Sequence, residues 1–201
     1  MTIKTLYFDT SAIVKYFCQE PGRDVVRWLC STDTRMVHSL HLVTSELARE
    51  ELEAAIQNKI EASEITAQQA RGIMLRARPY LKTFFHPRPI DGKDQLGYDR
   101  AQLLSELRRI SGLFRKKDSQ DLLHLATIVN NLRFLGGAST PHLITADCRF
   151  AEAVPRLGYP AINVLEWSAP RLDQYFVHLE RNGMPNQKVE LTGVPRRFIE
   201  R

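Results

Sequence analysis

IKTLYFDTSAIVKYF, residues 3–17, carries the decision about the fold. Ile3 to Phe8 is a short apolar run rich in β-formers, Asp9 closes it, and Thr10-Ser11 lead into Ala12-Ile13-Val14-Lys15-Tyr16-Phe17 as a helix start does. The order is strand, acid, helix. It returns near the other end of the chain, where His142 to Thr145 reads as a strand, Asp147 follows, and a short helix runs to about Val154. Between them, Pro21-Gly22 breaks the first helix, and Val25, Val26, Trp28 and Leu29 form a second. Met36-Val37-His38 predicts a short strand. VTSELAREELEAAIQNK, residues 43–59, predicts a strong helix with Leu47, Leu52, Ala55 and Ile56 on its apolar side, and another helix is predicted from Thr66 to about Leu81. Phe84 to Gly97 is punctuated by Pro87, Pro89 and Gly92 and reads as a loop. Leu103, Leu107, Ile110 and Phe114 recur at helical spacing, and DSQDLLHLATIVNNL, residues 118–132, is apolar almost all round, as a central helix is. Ala161 to Leu165 is the last expected strand. Alternating strands and helices imply an α/β fold with a mostly parallel central sheet covered on both faces, and a ligand site beyond the carboxyl ends of its strands.

The chain has 201 residues, 43% hydrophobic and 25% charged, enough for one well-buried core. The expected organisation is one domain over 1–168 with a helical insertion at about 60–117, then a C-terminal extension, 169–201, holding one helix from Arg171 to Arg181. No apolar run approaches the roughly 18 residues needed to cross a bilayer. The start, MTIKTLYFDTS, meets an acid too early for a signal peptide, so a cytoplasmic protein with no membrane partner is expected. Cys18, Cys30 and Cys148 are odd in number and lack paired metal-ligand spacing, which fits reduced thiols. Lys and Arg outnumber Asp and Glu by 28 to 23, a net charge of +5. A basic surface around a local acidic pocket suits an enzyme acting on a polyanion.

Each acid has an ordinary helix-start reading. Asp9 and Asp147 fit N-caps, Glu46 fits the favourable end of a helix macrodipole, and Asp118 with Asp121 is spaced i, i+3 like a capping box. A metal reading explains them jointly. In an open α/β sheet the ends of Ile3 to Phe8 and His142 to Thr145 lie on one edge, so Asp9 and Asp147 can converge there, with helices delivering Glu46 and Asp121. Carboxylates about 4 Å apart repel by roughly 4 kcal/mol per pair at an effective dielectric of 20, so such a group requires protonation or a cation. Hard oxygen donors select Mg²⁺ or Mn²⁺.

With these residues in place, YFDTSAIVKYF resembles the opening motif of PIN domains, TSELARE their glutamate motif, DLLHLATI the third motif, and LITADCRFAEA the fourth, in family order from Tyr7 to Ala153. The pattern is most similar to VapC-type toxins of bacterial toxin-antitoxin pairs. The resemblance implies a PIN-like three-layer α/β/α sandwich, one or two Mg²⁺ or Mn²⁺ ions, endonucleolytic cleavage of RNA, a cognate antitoxin and frequent homodimerisation. It makes Asp9, Glu46, Asp121 and Asp147 the catalytic acids and metal ligands, Glu46 directly or through water, with Asp118 an extra ligand or a helix cap. It makes Ser11 and Thr145 supporting hydroxyls and His124 a structural histidine rather than a general base. Arg115, Lys116 and Lys117 are candidates for gripping the RNA backbone, and the tail arginines Arg196, Arg197 and Arg201 for RNA or a partner. The longer stretch between Lys59 and Lys117 and the continuation past Leu165 depart from the compact toxins. Two alternatives follow: a PIN nuclease of RNA processing or DNA repair, and a non-catalytic RNA- or protein-binding module.

Overall fold

The computed structural model describes residues 3–88, 104–105, 107–115, 119–131 and 141–182. Four parallel strands form the sheet: β1 (Lys4–Phe8), β2 (Leu40–Ser45), β4 (His142–Thr145) and β5 (Ala161–Asn163). A two-residue strand, β3 (Pro87–Arg88), extends one edge, giving the order β3-β2-β1-β4-β5. Every pairing is parallel, with Tyr7 opposite Val43 on one side and Leu143 on the other. The chain begins in the middle of the sheet, winds outward through β2 and β3, and then returns to the other side of β1. The β1/β4 junction is therefore the point where the winding direction reverses, which in open parallel sheets is where ligands bind.

Helices cover both faces. On one side lie α1 (Thr10–Phe17), α2 (Arg23–Cys30), α4 (Leu47–Glu61), α5 (Ala67–Thr83) and α8 (Ala169–Asn182), whose apolar residues share a core with Leu6, Phe8, Leu42 and Ile144. On the other lie α6 (Ser119–Asn131) and α7 (Cys148–Ala153), packed with Tyr7, Val43 and Leu143. Alternate residues of β1 thus enter opposite cores, and its five residues are all buried. Parallel strands covered on both faces read as continuous apolar runs for this reason. The architecture is α/β with an all-parallel central sheet between two helical layers, compatible with a three-layer α/β/α sandwich. Among the described residues, no helix is long and apolar enough to cross a membrane.

Several elements differ from the sequence expectations. Met36 and Val37 close a short helix, α3 (Thr32–Val37), and are exposed, while the strand begins at Leu40. Val43 to Ser45 complete that strand instead of opening the following helix, because Leu40 to Val43 pair with β1. Strand pairing overrides the helical propensity of the adjoining Glu- and Ala-rich run. Residues 107–111 are helical with Leu107 buried, whereas Phe114 is exposed and Leu103 lies outside the described residues. Helices α5 and α8 contribute to the core. Ala70, Ile73, Ala77 and Leu81 of α5 and Leu172, Phe176 and Leu179 of α8 are buried in the same core as α1 and α4. Polar contacts also tie α8 down: His38 meets Asp173 at 2.9 Å and Glu180 at 3.3 Å, and Lys4 meets Glu180 at 2.9 Å. Residues 183–201, including Arg196, Arg197 and Arg201, lie outside the described residues.

Candidate functional site

Asp9 is the residue at which β1 becomes α1. Its backbone N–H continues the ladder, donating to the Ile144 carbonyl at 3.0 Å, while its own carbonyl accepts from Ala12 and Ile13 in the first helical turn. The side chain caps that helix by accepting from the Ser11 N–H at 3.3 Å. Two hydroxyls fix the same oxygen, Oδ2: Ser11 donates to it, and Thr145 donates to it from β4 at 2.9 Å. Ser11 and Thr145 are themselves held, the former by the Ala146 N–H at 2.9 Å and the latter by the Asp147 N–H at 3.0 Å. The adjacent strand ends thus orient one buried carboxylate with its other oxygen, Oδ1, left facing His124.

His124 lies on α6 and is fully buried. Its Nε2 is 2.7 Å from Glu51 Oε2 and 3.6 Å from Asp9 Oδ1, and its Nδ1 is 2.7 Å from the Tyr7 hydroxyl and 3.3 Å from Ser45 Oγ. Burial pushes the Tyr7 phenol well above its ordinary range, so it stays a hydroxyl, and it pairs with Nδ1 while Nε2 faces Glu51. Thr10 donates a second hydrogen bond to the same Glu51 oxygen. Burial on its own would raise the Glu51 carboxyl, but the hydrogen bond and charge of His124, with the Thr10 hydroxyl, bring it below the usual value. Burial likewise works against a charged His124, and the Glu51 hydrogen bond with the charges of Asp9, Glu51 and Asp121 overcomes it, raising the imidazole.

One ligand atom from each of Asp9, Glu51 and His124 lies within 4.8 Å of the other two. Two carboxylates and a third acid nearby outweigh a single imidazolium, so the pocket keeps a negative excess. Its mostly oxygen donors, held by hydroxyls and an imidazole, fit a hard divalent cation.

The remaining candidates occupy different positions. Asp121 sits one turn before His124 on α6, half-buried, with its charge felt at the imidazole. Asp147 is exposed beyond β4 and caps α7, its Oδ1 accepting from the Arg149 N–H at 2.8 Å and the Phe150 N–H at 3.0 Å. Glu46 is exposed at the start of α4, makes no capping bond, and lines a cleft of about 470 Å³ with Arg49, Arg78, Leu81 and Lys82. It is not among the residues that meet Asp9, and the acid that α4 delivers to the pocket is Glu51. Arg115 is exposed, and Lys116, Lys117 and Asp118 lie outside the described residues.

Sequence reasoning passed over Glu51 and Tyr7. The signal for Glu51 was present: with α4 starting at Leu47, it lies among Ala48, Leu52, Ala55 and Ile56, an acid on the edge of an apolar stripe. A charge on such a face requires a partner. Tyr7 offers no comparable mark, because an aromatic in a buried strand is ordinary core. Comparison with family models, with curated proteins and with solved structures finds no match to this chain.

Proposed function

We propose that the chain is a Mg²⁺- or Mn²⁺-dependent endoribonuclease of the PIN kind, with Asp9 and Glu51 as the inner acids and Asp121 and Asp147 around them. The observation that carries this reading is the convergence of Asp9, Glu51 and His124 within 4.8 Å at the carboxyl edge of the central strand. The four motifs and the net charge of +5 add the substrate class. Bound divalent metal in such a site lowers the pKa of water and neutralises charge on a phosphodiester. The protein's own groups prepare for this. Ser11 and Thr145 hold Asp9 Oδ2 so that the carboxylate presents one face, and His124 holds its Nε2 proton toward Glu51, keeping that carboxylate ionised in a buried setting. Tyr7 and Ser45 prevent the imidazole from rotating away. No side chain is assigned as a nucleophile.

Purified protein is expected to cut a labelled single-stranded RNA pool with Mg²⁺ or Mn²⁺, leaving 5′-phosphate and 3′-hydroxyl ends, and to lose that activity with EDTA or in Asp9→Asn. Cleavage undiminished in Asp9→Asn, or 2′,3′-cyclic phosphate ends, would sink the proposal. The resemblance to VapC-type toxins extends it to an antitoxin partner, which a small protein copurifying from the native source and suppressing the cleavage would support.

A second reading, a non-catalytic module with a buried polar network, is favoured by one observation. Glu51 is already bonded by His124 and Thr10, and Asp147 by two backbone N–H groups. Calorimetric titration with Mn²⁺ separates the two, since the network reading requires no saturable heat at this site.

A further inference from the structure

A second cavity, of about 680 Å³, opens where the end of α1, the start of α2, the end of α4 and the first turns of α5 meet. It lies away from Asp9: α1 alone carries the chain eight residues back from the carboxyl edge of the sheet, roughly 12 Å at 1.5 Å per residue. Arg23, Lys59 and Arg76 line it against Glu20 and Glu64. Both acids are already committed. Lys59 pairs with Glu20 and, at 2.7 Å, with Glu64, while Lys15 takes the other Glu20 oxygen. Arg23 and Arg76 have no ion pair among the described residues, and the buried Nε of Arg23 has no hydrogen-bond partner there. A guanidinium donor removed from water and left unpaired is unfavourable, and an anionic oxygen relieves it. The wall is open beside Arg76. A Cβ added to Gly72, inside α5, would meet only the Arg76 guanidinium, at 3.8 Å, although glycine weakens a helix interior. Phe17 and Ile73 supply apolar wall and Gln68 an amide.

We propose that this cavity binds a small phosphate monoester carrying an apolar or heterocyclic body, such as a nucleotide. Two unneutralised guanidinium groups match the near-dianionic charge of a phosphate monoester at neutral pH, where a carboxylate balances only one. The volume is that of a small-molecule site, and the apolar wall accommodates the body. The nuclease reading is not required for it.

The test is calorimetric titration of the full chain with adenosine 5′-monophosphate, beside adenosine. Saturable binding of the monophosphate is expected, unchanged in Asp9→Asn and weakened roughly tenfold or more in Arg76→Gln and in Arg23→Gln. Gly72→Leu, which fills the opening, is expected to weaken it as well. Because Arg76 and Gly72 lie on α5 and Arg76 is exposed, unchanged circular dichroism of those two variants separates lost binding from lost folding. No saturable binding at millimolar nucleotide, equal affinity for adenosine, equal affinity in Arg76→Gln, or loss of binding in Asp9→Asn each overturns the proposal.

Discussion

Glu46 and Glu51 stand five positions apart on the same segment, yet one is exposed in a basic cleft and the other is held at 2.7 Å from a buried imidazole. Their chemistry is the same and their surroundings decide what each does. If the acidic pocket is catalytic, Glu51→Gln should lower metal-dependent cleavage by more than about 100-fold, beyond the roughly 10- to 100-fold typical of residues that only support metal ligands. Glu46→Gln should stay within a few-fold of wild type. Parallel cleavage assays decide it, and the reverse ranking would return the metal site to Glu46. The capping roles expected for Asp9 and Asp147 do appear in the structure, and capping does not preclude further roles. Asp9 accepts from Ser11 through Oδ2 while Oδ1 faces His124, whereas Asp147 gives its Oδ1 to two N–H groups.

Helices α1 and α4 run side by side, and Glu20, just past α1, joins them through Lys15 and Lys59. Burial acts to raise the Glu20 carboxyl, but the two ammonium groups hold it below the ordinary carboxylate value. A carboxyl depressed on folding contributes stability that is present above its unfolded pKa and disappears as pH falls through its folded one. Thermal melting of wild type should therefore fall more steeply than that of Glu20→Gln as pH drops below the ordinary glutamate value of 4.5, the two curves converging at the acid end. A constant gap between them down to the acid end would remove Glu20 from this role. Among the elements, the helical character of α4, α5 and α6 was readable in the chain, and the β2 boundary was not. LHLVTS is buried at nearly every position, so it lacks the alternation that marks a half-exposed strand.

The sheet order β3-β2-β1-β4-β5 places the candidate centre at the junction of β1 and β4, with both strands' carboxyl ends contributing to Asp9. The acidic pocket belongs to a chain with a net charge of +5, so attraction of a polyanion must come from basic groups elsewhere on its surface. Neutralising Arg115, Lys116 and Lys117 together should flatten the dependence of single-stranded RNA affinity on salt, by about 0.7 in the log–log slope for each phosphate no longer neutralised. An unchanged slope would assign the attraction to other cations, among them Arg49, Arg78 and Lys82 in the cleft beside Glu46.

The alternation of strands and helices, the placement of Asp9 between β1 and α1, and the excess of basic charge were all legible in the amino-acid order alone. These are local or additive properties: an apolar run, a turn chemistry, a sum of charges. Three-dimensional packing was needed to show that α5 and α8 belong to the main core and that α4 delivers Glu51 rather than Glu46. Packing also brought Tyr7, Thr10, Ser11, Thr145 and His124 around two carboxylates. Several of those contacts join residues more than a hundred positions apart, and strand pairing together with helix phase sets them. One residue's shift in where α4 begins rotates every later side chain by about 100°, which propensity along the chain is too coarse to resolve.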